Sequence, residues 1–428
     1  MKSTNFNVNK NSYWLYLHPY VYTSIKKNHA IIYSTVNHKL IEKENSKKIL
    51  KIIKRLNSNK NLYVIKLGRK DFDDNIYKFI MNIKENFMGD LMKTSYSLGK
   101  PIQFKPILTL QTSFERLTTV VKAYKILEKD KLKDYLNSLY LYINDQCSQS
   151  CEMCKNGFRQ FPYCHKTNNK NEIEIENINM LLNEVKGSKL YKISILGGNI
   201  FKYSQFRELL ETLNRNHLKK EYFIHYLNII NKENYLDIMN NKNSYLNILI
   251  HFPLDEDVLK KSLTTASNSK INFTCSFVVK SSTDVETAEN IISKYKVKSF
   301  CFLPYFNRKN VTFFKKYVFI NKKAILDSFL TMNDIFTRKV LNSYSFRNLT
   351  ILSNKEIYAN INNPKIGELG KDNLFNVIAK ELNTGKSWFK VRKNVNPCKS
   401  CVYNELCPPI SNYEYVIGKY NLCNIWKK

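Results

Sequence analysis

The chain lacks the features that mark secreted and membrane-spanning proteins. Its 428 residues contain no apolar run of about 18 residues, so we expect no membrane span. Residues 1–14 contain no apolar segment followed by a small-residue cleavage site, so they do not form a secretory signal peptide. We therefore expect a cytoplasmic protein that has no membrane partner.

Acidic residues are also few. The sequence has 36 Asp and Glu against 68 Lys and Arg, which gives a formal net charge of +32. Such an excess is typical of nucleic-acid-binding proteins, but here the lysines are scattered rather than grouped. Lys, Asn, Ile, Tyr and Phe are abundant together while Gly, Ala and Pro are scarce, which is the residue usage of an AT-rich genome. We expect no nucleic-acid partner, although an acidic or polar peptide would be attracted to this surface.

The hydrophobic pattern predicts several domains, as the chain length also does. Residues 1–91 read as a small α+β module, with strands at 13–17, 20–25, 30–34 and 61–67 and helices near 49–56 and 72–87. Residues 92–138 read as a linker that includes a helix at 122–136. Residues 346–428 begin with a hairpin at 349–361, continue with a helix at 374–382 and end in a Cys-rich tail.

Residues 139–345 alternate regularly between strands and helices. The predicted strands are 139–144, 192–196, 222–227, 246–252, 271–279 and 298–302, and the last part, 313–340, reads as mainly helical. Strands that alternate with helices are typical of a parallel α/β fold. Six units are too few for a closed eight-stranded barrel, so we predict an open, partial (β/α)6 barrel.

Three cysteines follow the first of these strands. Cys147, Cys151 and Cys154 have C-x3-C-x2-C spacing. Three thiolates on one loop leave one iron of a [4Fe–4S] cluster without a cysteine, whereas electron-transfer clusters have four. The carboxyl end of a parallel strand is where such folds place their active sites.

This spacing and position resemble the radical S-adenosylmethionine superfamily. The resemblance implies that Cys147, Cys151 and Cys154 bind a [4Fe–4S] cluster whose open iron chelates S-adenosylmethionine. Reductive cleavage then yields a 5′-deoxyadenosyl radical, which abstracts hydrogen from the substrate. An aromatic residue commonly precedes the third cysteine in that family; here it is Met153, which is also able to pack against adenine.

The second strand ends in Gly197-Gly198-Asn199. Glycines there allow backbone carbonyls to approach a ligand closely. The three residues resemble the Gly-Gly-Glu motif that holds the methionyl amino group in the superfamily, with Asn199 in place of the carboxylate. The alternative for the Cys loop is a zinc site, for which Cys164 and His165 are the nearest further ligands. Cys164, Cys275 and Cys301 lie outside the cysteine groups, and for a lone cysteine we predict a free core thiol.

The tail carries a second group of four cysteines, Cys398, Cys401, Cys407 and Cys423. Their C-x2-C-x5-C start resembles the SPASM domain, which holds auxiliary clusters in peptide-modifying radical enzymes. The SPASM pattern has an earlier cysteine before its glycine, and residues 358–367 contain none. The resemblance therefore implies one auxiliary iron–sulfur cluster, of the [4Fe–4S] type, and a structural zinc ribbon is the alternative.

Short sequence segments along nearly the whole chain resemble those of a narrower group, the pseudo-radical-SAM/SPASM proteins encoded beside Bacteroidales double-glycine-leader peptides. They are residues 13–17, 87–90, 160–164, 406–414 and 421–423. The module at 1–91 resembles the winged-helix-like element with which such proteins add a leader peptide to a sheet edge. A plain accessory domain is the alternative.

These resemblances imply a radical S-adenosylmethionine enzyme that modifies a ribosomally made precursor peptide. An electron donor such as flavodoxin or ferredoxin would then be a partner. The alternative is a non-catalytic scaffold that binds the precursor peptide and presents it to a second radical maturase. A zinc protein attached to nucleic acid is a third, weaker alternative. The sequence identifies no catalytic acid or base.

Overall fold

The computed structural model describes residues 12–97, 99–105 and 134–425. The N-terminal part of these residues forms two antiparallel sheets and two helices. In chain order the elements are β1 (Tyr13–Leu17), β2 (Val21–Lys26), β3 (His29–Ser34), β4 (Leu40–Glu44), α1 (Lys47–Asn57), β5 (Val64–Leu67), α2 (Asp74–Glu85) and β6 (Gly89–Lys93). The sheets have the orders β5-β1-β6 and β2-β3-β4.

Apolar side chains at helical spacing bury one face of each helix, as the periodicity predicted. Ile52 and Ile53 of α1 and Phe79 and Ile80 of α2 belong to one buried cluster. Two strands, β4 and β6, were not predicted. Strand β6 starts at Gly89, where an added Cβ would lie 2.1 Å from the Tyr16 carbonyl oxygen, so only glycine allows this pairing with β1.

The predicted linker at 92–138 is described only at its two ends. The predicted helix at 122–136 falls for the most part outside the described residues. Strand β6 extends to Lys93 and so continues past the expected start of the linker.

Alternating strands and helices form the centre of the chain and confirm the predicted α/β pattern. They are β7 (Ser138–Tyr142), α3 (Ile175–Glu184), β8 (Lys192–Leu196), α4 (Phe206–Asn214), β9 (Lys219–His225), α5 (Glu233–Met239), β10 (Ser244–His251), α6 (Glu256–Asn268), β11 (Phe273–Val279), α7 (Ser282–Lys294) and β12 (Phe300–Pro304). Neighbouring strands from β7 to β12 pair in parallel, in chain order. All their carboxyl ends therefore lie at one edge of the sheet.

The predicted hairpin is present and extends this sheet. It consists of β13 (Asn348–Ile351) and β14 (Glu356–Tyr358), with β15 (Gly367–Glu368) paired to β14. Strand β13 pairs in parallel with β7, so the order is β12-β11-β10-β9-β8-β7-β13-β14-β15. The sheet thus continues across residue 345, where the sequence predicted a domain boundary.

The two faces of the central sheet differ in composition. On β7, Leu139 and Leu141 pack with apolar residues of the flanking helices. Tyr140 and Tyr142 alternate with them and line a cavity of about 210 Å3 on the opposite face, together with Thr350 and other residues. One face therefore forms the main core, and the other surrounds interior space.

Residues 313–340, predicted to be mainly helical, form three short helices. They are α8 (Val311–Tyr317), α9 (Lys322–Leu326) and α10 (Met332–Val340). Ile320 forms an isolated bridge with Cys423, which interrupts the helical chain. Asn321 and Thr331 then cap the next two helices with their side chains. The bridge to the tail and the two helix caps therefore divide the predicted helical segment into three helices.

The tail contains α11 (Leu374–Thr384) and α12 (Asn412–Ile417) between loops. Each helix ends at a glycine with positive φ, Gly385 at 59° and Gly418 at 75°. Among the described residues, no helix is long and apolar enough to cross a membrane.

Candidate functional site

The Cys loop starts where β7 ends, at the carboxyl edge of the sheet. Asn144 and Asp145 are buried at its start. Cys147 and Cys151 are half-buried, whereas Cys154 is buried on a short 3-10 turn, Glu152–Lys155. The three cysteines predicted to bind a cluster therefore follow β7 at the carboxyl edge of the sheet, where parallel folds bind small molecules.

Electrostatic contacts show that these thiols are neighbours. The hydrogen bond between Cys154 and Cys151 is the main cause that raises the pKa of Cys154 and lowers that of Cys151. Burial, and then the thiols of Cys147 and Cys151, raise the pKa of Cys164. The structure therefore brings the three predicted cysteines together and adds Cys164 to the group.

Met153, which precedes the third cysteine, is 1% exposed. It packs in an apolar cluster with Tyr163, Leu249 of β10 and Val278 of β11. Its side chain therefore lies on the inner face of the sheet, beneath the Cys loop.

The two glycines after β8 contact the Cys loop itself. An added Cβ on Gly198 would lie 2.3 Å from the Gln146 carbonyl oxygen, and one on Gly197 would lie 2.5 Å from Asn144 Oδ1. The Gly198 amide donates to the Asn144 carbonyl over 3.0 Å. The absence of side chains on these glycines thus lets the two loops meet.

Asn199 joins the same network and is buried. Its backbone N–H donates to the Gln146 carbonyl over 2.6 Å, and its backbone carbonyl accepts from Asn144 Nδ2 over 2.9 Å. Its side-chain oxygen accepts from the Phe201 amide over 3.1 Å. Asn199 therefore fixes the position of the Cys loop relative to β8.

Two histidines that the sequence analysis missed lie beside this loop. His225 ends β9 and His251 ends β10, and the His225 Nε2 to His251 Nδ1 distance is 2.5 Å. Each offers a nitrogen that lies within 4.8 Å of the Cys151 sulfur and of the other nitrogen. Burial, with His251 as second cause, lowers the pKa of His225 to about 3. Both end predicted strands on the edge that carries the Cys loop, and this shared position could have identified them.

A cavity of about 690 Å3 lies next to the loop, at the carboxyl ends of β10 and β11. Phe252, Glu256, Lys280 and Lys294 are among the residues that line it. Lys280 Nζ also lies 3.2 Å from a carboxylate oxygen of Glu152 in the Cys loop. The volume falls within the range of small-molecule sites, about 300–1,000 Å3.

The four tail cysteines line one cavity, as their spacing predicted. Cys398, Cys401 and Cys407 are buried, and Cys423 is half-buried. Asn404 lines the same cavity; it is 2% exposed, and neither its Nδ2 nor its Oδ1 has a hydrogen-bond partner. A buried amide without a partner is costly, and a group bound among the four thiols would offer it one.

Arg392 also borders this cavity and is itself buried. It forms an ion pair with Glu414 at 2.7 Å, and its Nη1 lies 3.8 Å from the Cys398 sulfur. Its guanidinium also donates to the Pro408 and Tyr420 carbonyls, at 2.5 and 2.8 Å. Arg392 therefore ties the loops that carry the cysteines to one another.

The sulfurs of neither cysteine group are close enough together to hold a single metal ion by themselves, whereas Cys151 lies that close to His225 and His251. In the part of the chain that the structure describes, no three cysteine sulfurs lie within 4.8 Å of one another. A tetrahedral zinc ion, with Zn–S distances of about 2.3 Å, would hold its sulfurs about 3.8 Å apart. The sulfurs are therefore farther apart than a zinc ion held by cysteines alone would place them, and the first group has two histidine nitrogens beside it.

The two remaining cysteines differ from each other. Cys275 is buried in the main core, which confirms the prediction of a core thiol. That prediction is wrong for Cys301, which is exposed on β12, an edge strand of the sheet. Its sulfur lies 3.3 Å from the Ser276 hydroxyl.

The tail also contacts the N-terminal module. Tyr22 and Tyr33 share a buried cluster with Cys401 and Cys407. The Tyr22 hydroxyl donates to Glu405 over 3.0 Å. The second cysteine group therefore lies at the contact between the first and last parts of the chain.

No family model matches the sequence, and no curated protein matches it either. Among solved structures, SuiB of Streptococcus suis bound to precursor peptide SuiA is similar with a TM-score of 0.48, 15% identity, and coverage of 97% of this chain and 99% of that one. anSMEcpe with bound AdoMet and Cp18Cys peptide gives a TM-score of 0.45, 15% identity, and coverage of 63% and 87%. Methylornithine synthase (PylB) gives a TM-score of 0.34 and 11% identity, with coverage of 65% of this chain and 91% of that one.

Proposed function

We propose that the protein is a radical S-adenosylmethionine protein that acts in the maturation of a ribosomally made peptide. One observation carries the proposal: Cys147, Cys151 and Cys154 lie together at the carboxyl edge of the parallel sheet. Three cysteines leave one iron of a [4Fe–4S] cluster free for S-adenosylmethionine. With the cluster bound, the centre would supply one-electron reductive cleavage of that molecule.

The chain's own residues would hold and orient these groups. Asn199 and the two glycines beside it fix the Cys loop against β8, and we assign them the methionyl end of S-adenosylmethionine. Asn199 Oδ1 accepts one hydrogen bond, from the Phe201 amide, and its second lone pair would accept from the ligand. Buried Met153 would pack against the adenine ring and exclude water from it.

The remaining parts of the chain receive roles that extend this proposal. The residues at 139–345 would form a partial barrel, and those at 346–428 a SPASM-like domain with one [4Fe–4S] cluster on its four cysteines. The module at 1–91 would bind the precursor peptide, and the 690 Å3 cavity beside Lys280 would receive part of it. A flavodoxin or ferredoxin would supply the electron.

The test is anaerobic reconstitution with iron and sulfide, followed by dithionite and S-adenosylmethionine. We expect two clusters per chain and formation of 5′-deoxyadenosine. A variant with Cys147→Ala, Cys151→Ala and Cys154→Ala should lose one cluster and form no 5′-deoxyadenosine. The control Cys301→Ala removes an exposed thiol and should keep both clusters and the product. Product formation by the triple variant, or zinc in place of iron, would show that the assignment is wrong.

A second candidate is a non-catalytic scaffold that presents the peptide to a separate maturase. Asn199 favours it, because the position lacks the carboxylate charge that would attract the methionyl ammonium group. The scaffold predicts iron at both sites and peptide binding, with no 5′-deoxyadenosine. Cys164→Ala separates a further possibility: if Cys164 closes the cluster, its removal should permit S-adenosylmethionine binding that the natural protein lacks.

A further inference from the structure

Asn404, near the second cysteine group, has a buried side-chain amide without a hydrogen-bond partner. It lies in the loop between Cys401 and Cys407, and its own amide N–H donates to the Cys401 carbonyl over 3.3 Å. Its side chain is buried, lines the cavity formed by the four cysteines, and has no partner at either amide atom. Buried amides in folded proteins are nearly always hydrogen-bonded, so a group bound among the four thiols would supply the partner that Asn404 Nδ2 lacks.

The surroundings restrict what that partner is. The cavity is lined by four thiols, and the guanidinium of Arg392 lies 3.8 Å from the Cys398 sulfur. A cluster bound by thiolates carries negative charge and presents sulfur acceptors. An amide N–H is a suitable donor to such sulfurs, whereas an apolar residue would have packed the same space without a desolvation cost.

We propose that Asn404 Nδ2 donates a hydrogen bond to a sulfur of the tail cluster and, as a positioning residue, sets its reduction potential. This inference rests on the proposed function, since it requires an iron–sulfur cluster on these cysteines. Hydrogen bonds to cluster sulfurs stabilise the more negative, reduced state. Asn404 therefore holds the tail centre at a higher potential than its four thiolates alone would give.

The test uses the full-length chain with Cys147→Ala, Cys151→Ala and Cys154→Ala, so that only the tail cluster is titrated. Adding Asn404→Leu keeps the side-chain shape and removes the donor. We expect a shift to a more negative potential that corresponds to about a tenfold fall in the equilibrium constant for reduction, or about 59 mV for one electron. Asn214→Leu, whose amide donates to the distant Ile238 carbonyl, is the matched control and should leave the potential unchanged.

A second measurement uses protein labelled with 15N-asparagine. Pulsed EPR of the reduced tail cluster should show coupling to an asparagine nitrogen that disappears in Asn404→Leu, which separates it from Asn421 in the same cavity. An unchanged potential in Asn404→Leu, or no such coupling, would overturn the inference. Absence of iron and sulfide from the triple variant would instead refute the iron–sulfur assignment of the tail, so the two failures are distinguishable.

Discussion

A methyl group at Gly198 would push directly against the Cys loop. The added Cβ of Gly198→Ala would lie 2.3 Å from the Gln146 carbonyl oxygen and 2.6 Å from its carbonyl carbon. Ordinary contact starts at 3.4 Å, so the loop must retreat by about 1 Å. Both obstructing atoms belong to the backbone, and no side-chain rotation relieves the overlap.

The cost should appear in stability and in metal content. Overpacking of this kind typically lowers the free energy of unfolding by about 1–3 kcal/mol. Moving the backbone before Cys147 would also displace the first cysteine. We therefore expect Gly198→Ala to unfold at lower urea concentration and to lose iron from the first site while the tail cluster is retained.

The matched control is Gly68→Ala, where an added Cβ meets nothing within 4 Å. It should keep both the unfolding midpoint and the iron content of the unsubstituted protein. If Gly198→Ala behaved like this control, the close approach of the two loops would not exist in solution. The reasoning that links the glycine pair to the Cys loop would then be wrong.

Two further predictions concern buried titratable groups, His225 and the Arg392–Glu414 pair. Because the pKa of His225 is about 3 in the fold against 6.5 as its ordinary value, the metal-free protein should lose stability as pH falls below 6.5. The loss should reach about 2 kcal/mol at about pH 5, and His225→Gln should flatten the dependence in urea titrations. Glu414→Gln would leave Arg392 buried without its partner and should cost about 3–5 kcal/mol. Glu211→Gln, which removes the exposed pair with Arg207, should cost less than about 1 kcal/mol; equal losses would contradict this difference in burial.

Local periodicity was sufficient to predict most elements of this fold. The strands of the central sheet are short apolar runs bounded by turns, and the helices between them bury one face. Strand β4 was missed because its sequence, Leu40–Glu44, carries charged residues at three of five positions. The parallel pairing of β13 with β7 joins residues about 200 positions apart in the chain, and no local pattern encodes it.

The candidate site was predictable where several of its cysteines occur in one short segment. Cysteine spacing located both thiol groups, because a loop that surrounds a metal centre must carry its ligands close together. His225 and His251 were missed because each is a single residue at the end of a separate strand. The glycines after β8 were predicted to let backbone carbonyls approach a ligand; in the structure they lie against the Gln146 carbonyl and the side-chain and carbonyl oxygens of Asn144.

The pairing of β13 with β7 has a consequence for how the chain divides. Strand β13 follows residue 345, yet its backbone hydrogen bonds run to the strand that carries the first Cys loop. A chain cut at residue 345 would leave β7 as an unpaired edge, which promotes aggregation. The two cysteine centres should therefore unfold as one cooperative unit, with the amides of β7 and β13 exchanging hydrogen together.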